Sequence, residues 1–227
     1  MTTTAEVLAD LEASGTAQNR KVYRRHGVQN ALYGVSYTNL KALKKEIKVN
    51  HPMARELWAT GNHDARILAT MIADPRQADE TLLESWVNNL GNYMIGDAFS
   101  GYVSQTSFAC ARMEQWTQSE DEWVGMVGWN LLAHLAMKDQ TLDDSYFRPY
   151  LAVIERDIHT RKNRVRYSMN NALIAIGLRS EALEADAVAA AQRIGVVEVD
   201  HGETNCKTPD AVPYIRNAST RRKSAAR

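Results

Sequence analysis

Apolar residues recur along most of this chain at helical rather than strand spacing. Leu40, Leu43 and Ile47 follow i, i+3, i+7, and Ala65, Leu68 and Ile72 follow the same pattern closely. Phe147, Leu151, Ile154 and Ile158 keep i, i+4, i+7, i+11, a spacing repeated by Leu183, Ala187, Ala190 and Ile194. Each set lays one apolar stripe along a helix. Start and stop signals fall between the stripes. Thr38 is placed to cap the helix bearing Leu40, and Asn50 with Pro52 ends one element and opens the next. Asn62 is placed to cap a helix from near Asp64 that Asp74-Pro75 stops, and Ser119 with Glu122 reads as a capping box ahead of Trp123.

The pattern predicts about ten to twelve helices of about 8 to 18 residues joined by short loops. Helices of that length are marginal alone in water, so their stability must come from stacking. Helix pairs at intervals of roughly 40 residues fit an all-α, right-handed solenoid of HEAT-like, armadillo-type repeats. An irregular helical bundle is the alternative. The expected layout is a single domain over residues 1–215 and a disordered basic tail over 216–227. After Ile194-Gly195 the run Val196 to Asp210 carries β-branched residues, then turn formers and Pro209, and reads as an extended loop.

Composition narrows the class. No apolar run approaches the roughly 20 residues that span a bilayer. The segment Met1 to Asp10 is polar and acidic rather than basic then apolar, so a cytoplasmic location is expected. Cys110 and Cys206 lie far apart and form no CxxC, which disfavours a disulfide framework or thiol-rich zinc site. The formal net charge is zero, but the charge is segregated. Basic residues gather at Arg20, Lys21, Arg24 and Arg25, then at Lys41, Lys44, Lys45 and Lys48. They recur at Arg161, Lys162, Arg164 and Arg166, and in the tail at Arg216, Arg221, Arg222, Lys223 and Arg227. Such clusters are either a face for phosphate or solvated helix surfaces.

Leu32-Tyr33-Gly34-Val35 followed by Leu40-Lys41-Ala42-Leu43-Lys44-Lys45-Glu46-Ile47 carries a family likeness. So do Glu56-Leu57-Trp58, Asp64-Ala65-Arg66-Ile67-Leu68-Ala69 and Met71-Ile72. The runs Asn163 to Ile174 and Val199 to Thr204 extend it. In this order, from about Leu32 to Ile215, they resemble the HEAT-repeat DNA alkylation-repair family, the AlkD-like alkylpurine DNA glycosylases. The resemblance implies a monomer whose helical repeats hold lesion-containing duplex DNA by its backbone. It implies hydrolysis of the N-glycosidic bond of N3- or N7-alkylated purines without metal or cofactor. The family's Trp-Asp-x-x-Asp pattern matches Tyr93-Met94-Ile95-Gly96-Asp97, so Asp97 and Tyr93 become the candidate catalytic pair. A tyrosine replaces the tryptophan, Met126 falls where the family has an arginine, and Asn171 falls near its second tryptophan.

An alkylated purine is a cation and hence a good leaving group. A carboxylate need only stabilise the oxocarbenium-like sugar and position water, while aromatic faces attract the cationic base. Candidate DNA contacts are Trp129, Arg161, Lys162, Arg164, Arg166, Lys207, Lys44 and Lys45. Each has a plainer reading. Asp97 is otherwise a surface aspartate, Tyr93 a packing residue, and Trp129 a core residue like Trp58, Trp86 and Trp116. Asp200, His201 and Cys206 read as a structural loop rather than a zinc site. The competing function is a non-catalytic DNA-structure-binding protein of the same fold, and a third is a protein-binding scaffold.

Overall fold

The computed structural model describes residues 2–225, with side chains to residue 221. Among the described residues there are thirteen α-helices and no strand: α1 (Thr4–Ser14), α2 (Ala17–Arg25), α3 (Tyr37–Ile47), α4 (His51–Ala59), α5 (His63–Ile72), α6 (Glu80–Val87), α7 (Tyr93–Val103), α8 (Ala109–Trp116), α9 (Glu122–Lys138), α10 (Asp144–Asp157), α11 (Asn163–Arg179), α12 (Glu181–Ile194) and α13 (Ala211–Ala225). The described residues group into two compact units. The first comprises residues 1–108 with 201–205; the second comprises 109–200 with the remainder from Cys206. None of the described helices is long and apolar enough to cross a membrane.

In the first unit α4 packs on α5, and α5 on α3 and α7. Trp58 and Trp86 stack at 4.2 Å with planes 2° apart, and Phe99 tilts against both, at 5.9 and 6.2 Å. These rings form the aromatic centre of this unit. The buried Asp64 accepts backbone N–H bonds from Tyr33 (2.7 Å), Gly34 (3.0 Å) and Val35 (3.0 Å). Three donors compensate the desolvated carboxylate, and they fix the chain just before α3. Gly34 adopts φ +83 there, and a Cβ would collide with Arg20 and the Thr16 carbonyl.

The second unit is built on two extensively buried helices. Ten residues of α9, from Val124 to Ala136, are buried, as are ten of α11, from Val165 to Gly177. Such helices belong between others: α9 lies against α8 and α11, and α11 against α12 and α13. A Cβ on Gly128 would overlap the backbone of Trp116 and Thr117, so glycine lets α9 close onto the end of α8. Arg179 stops α9 from the last turn of α11. It donates to the carbonyls of Ala136 (2.9 Å), Asp139 (2.7 Å) and Leu142, and pairs with Asp144 at 3.1 Å. These bonds satisfy carbonyls at and just beyond the helix end.

Asn50 and Asn62 cap α4 and α5 as their positions predict. Two other caps differ from expectation. Ser36, not Thr38, caps α3, because the Asp64 anchor sets where the helix begins. Asp121, not Ser119, caps α9, accepting from Trp123 at 2.9 Å and Val124 at 3.0 Å. Residues 195–210 carry no helix or strand. The segment expected to be a disordered tail from residue 216 is helical in α13 as far as Ala225; Arg227 lies outside the described residues.

Candidate nucleic-acid interface

The start of α7 is set by a buried polar network in the first unit. Gly91 turns the chain at φ +73, and Asn92 caps the helix by accepting from the Ile95 N–H at 3.1 Å. The Asn92 amide donates to Asn30 Oδ1 at 3.1 Å and meets His63 Nδ1 at 3.3 Å. His63 is wholly buried, and burial lowers its pKa to about 4, so the ring is neutral and Nδ1 accepts. This network orients the first turn of α7, and with it Tyr93 and Asp97.

Tyr93 and Asp97 stand one turn apart on one face of α7. Asp97 is exposed, not held in the apolar setting that its neighbours Ile95, Gly96, Ala98 and Phe99 suggest. Tyr93 is half-buried, and its hydroxyl meets His26 Nδ1 at 2.5 Å. The sequence reading missed two neighbours. His26, at the end of α2, tethers Tyr93. Tyr37, the first residue of α3, is 39% exposed. Desolvation of its hydroxyl, with the charge of Asp97 adding, pushes its pKa up to about 12, so it remains a donor. Tyr37 had no signal of its own, because it comes near α7 only when Asp64 sets the start of α3.

The predicted cations divide. Lys44 and Lys45 are exposed on α3 in the first unit. In the second unit Lys162 and Lys207 are exposed. Arg161 is otherwise engaged: it donates to the Ser119 carbonyl and to Glu120 at 3.3 Å, with 15% of its side chain exposed. It closes the loop before α9 instead of facing phosphate. Arg164 and Arg166 are half-buried; the Arg164 backbone N–H donates to Glu122 at 2.8 Å, and Arg166 reaches Asn163 at 3.5 Å. Asn163 exchanges hydrogen bonds with the Asp200 backbone (2.7 and 2.8 Å), and Asn170 donates to the Pro209 carbonyl at 2.9 Å. Those asparagines anchor the irregular segment, a role their helical spacing did not announce.

Trp129 corrects an expectation. It is 1% exposed, edge-on to Tyr150 at 6.2 Å, and does not reach a surface. Its neighbour Gly128 serves helix packing, not approach by DNA. Met126 is also core, at 2% exposure. Four of the five tryptophans are buried, and Trp123 is half-buried at the first turn of α9.

The sequence model of the DNA alkylation repair enzyme family matches residues 7–215. The chain belongs to that family. An uncharacterized protein of Listeria innocua serovar 6a is 28% identical over 233 residues, covering 97% of this chain and 99% of its own. One from Listeria monocytogenes serovar 1/2a is 27% identical, covering 98% of this chain and 100% of its own. Among solved structures, one superposes with a TM-score of 0.89 at 29% identity, covering 97% of this chain and 95% of that one. It represents a new family of proteins related to the HEAT-like repeat DNA glycosylases, with affinity for branched DNA structures. Together with a helical architecture that has no strand among the described residues, this makes the fold all-α of the HEAT-like repeat type.

Proposed function

We propose that this member of the family recognises branched or distorted DNA by its backbone and does not rely on excising a base. The carrying observation is the state of the residues that a glycosylase reading would need, each taken within its own unit. Tyr93 replaces the tryptophan and is tied to His26, and Trp129 is sealed in the core. Met126, where the family has an arginine, is core as well. Of the expected DNA contacts, those left exposed are lysines: Lys44 and Lys45 in one unit, Lys162 and Lys207 in the other. Lysines of this kind supply phosphate affinity without base preference. The similarity to a protein with affinity for branched DNA supports the same reading.

A glycosylase reading is favoured by one specific feature, the exposed Asp97 one turn from Tyr93 and near the Tyr37 hydroxyl. In that reaction the bond from C1′ to the purine nitrogen breaks and its electron pair neutralises the cationic base. Water adds to C1′ and gives a proton to the carboxylate. One experiment separates the two. Base release from duplex carrying N7-methylguanine is measured beside binding of a three-way junction, for wild type and Asp97→Asn. Junction binding by both proteins with release by neither supports structure recognition. Release by wild type alone would replace it with the glycosylase reading.

A further inference from the structure

At 3.6 residues per turn, Tyr37, Lys41 and Lys44 fall within about 60° of one another around the axis of α3, and Lys48 stands at its C-cap. All four are exposed, and Lys45 flanks them. Successive members rise by about 4.5 to 6 Å along the axis. None of these lysine ammonium groups has a hydrogen-bond or ion-pair partner among the described residues. The single acid of the helix, Glu46, lies on the opposite side. Isolated helices are stabilised by acid–base pairs at i, i+4; here Lys41–Lys45 and Lys44–Lys48 are like-charge pairs, which destabilise.

The end of the stripe adds a second cost. Lys48 terminates α3 at φ 64, ψ −144, a conformation that glycine holds without strain. Within the same chain, α12 ends at φ 71, ψ −146, and there the residue is Gly195. A lysine therefore occupies a glycine position and adds its charge to an already repulsive row. Only Leu40 of this helix is buried, so packing does not explain the arrangement.

We propose that this stripe is a track for a single strand of DNA, with Tyr37 as its stacking platform and Lys41, Lys44 and Lys48 following consecutive phosphates. The proposal rests on the branched-DNA reading above and names the part of such a molecule that α3 takes, an unpaired arm at the branch. A row one residue wide touches one strand, whereas holding a duplex calls for cations on both sides of a groove. A ring at the end of the row finds a base face only where bases are unpaired, since in a duplex those faces are stacked on one another. Cationic tracks with aromatic platforms are the usual means of holding single strands without sequence preference.

The test is fluorescence anisotropy of the full chain with three labelled probes: an oligo-dT strand, a fork with one unpaired arm, and a blunt duplex. Tyr37→Ala is expected to weaken strand and fork binding about tenfold and duplex binding by less than about twofold, while Tyr37→Phe retains wild-type affinity. The triple variant Lys41→Gln, Lys44→Gln, Lys48→Gln is expected to lower the logarithmic salt slope for the strand by about 0.7 per lysine. Equal strand affinity for wild type and triple variant would overturn the proposal and make the stripe a solvated face. Equal weakening on all three probes would overturn it in favour of a duplex-backbone contact. A protein that binds no branch in preference to duplex, yet holds oligo-dT through the stripe, would sink the branched-DNA reading and leave the track standing. Circular dichroism melts of each variant confirm that it is folded.

Discussion

The cations of α3 and those at the start of α11 form clusters of four in the sequence, yet they occupy opposite surroundings. Lys41, Lys44, Lys45 and Lys48 project from a helix with one buried residue and have no acid beside them. At α11, Arg161 is turned inward to Ser119 and Glu120, Arg166 reaches Asn163, and the Arg164 backbone is held by Glu122. Guanidinium groups offer several donors in a fixed fork and suit such internal work; ammonium groups are strongly hydrated and stay in water. A basic run is therefore evidence of a phosphate surface only when its charges lack internal acceptors. By that standard the first unit has the stronger claim, and in the second it falls to Lys162 and Lys207.

The comparison can be broken from either side, and stability changes are the larger effects. Arg179→Ala removes a cation whose side chain is 7% exposed and strips three carbonyls of their donor. It is expected to cost about 3 kcal/mol or more in urea unfolding, because three carbonyls lose a charge-assisted donor at once; Asp144, 33% exposed, keeps solvent and its bond from Ser180. Arg161→Ala is expected to cost about 1.5 to 3 kcal/mol, since its main bond is a charge-assisted one to a backbone carbonyl; its contact to the exposed Glu120 adds little. DNA affinity should fall less than about threefold in that variant if the arginine is structural, and a loss above about tenfold at unchanged salt would return Arg161 to the interface.

A smaller effect comes from the network beneath Tyr93. The folded pKa of His63, about 4, lies below its ordinary 6.5, so between those values the unfolded chain binds the proton more readily. Stability is full above about pH 6.5 and declines as pH falls toward 4. Thermal melts across that window should show the decline, and His63→Gln should flatten it. A slope unaffected by the substitution would place the acid sensitivity elsewhere. The smallest stability effect belongs to α3: replacing Lys41, Lys44 and Lys48 with Gln should leave the melting temperature unchanged or raise stability by a few tenths of a kcal/mol. A marked loss of stability would mean that the stripe has a structural role.

These differences also show what the sequence can reveal. Helix existence follows from local spacing, so the stripes from Leu40 to Ile194 and the caps at Asn50 and Asn62 were legible. Ser36 displaced Thr38 because a distant group fixes that start, Asp64 holding residues 33–35; Asp121 displaced Ser119 because the Ser119 hydroxyl accepts from the Asp121 N–H at 3.1 Å, too early in the chain for α9. Asp97 and Tyr93 were identified by a family pattern, but the partners His26 and Tyr37 are 67 and 56 residues away from Tyr93 and come from other elements. Trp129 could not be told from a surface tryptophan because α9 is apolar over most of its girth, with only Asn130, His134 and Lys138 marking its outward side beyond the first turn.

The most direct measurement is competitive binding of a three-way junction against a linear duplex of the same length and base composition, at one fixed salt concentration. Recognition of branched DNA predicts at least about tenfold preference for the junction, kept by Asp97→Asn. Equal affinity for the two molecules would contradict it.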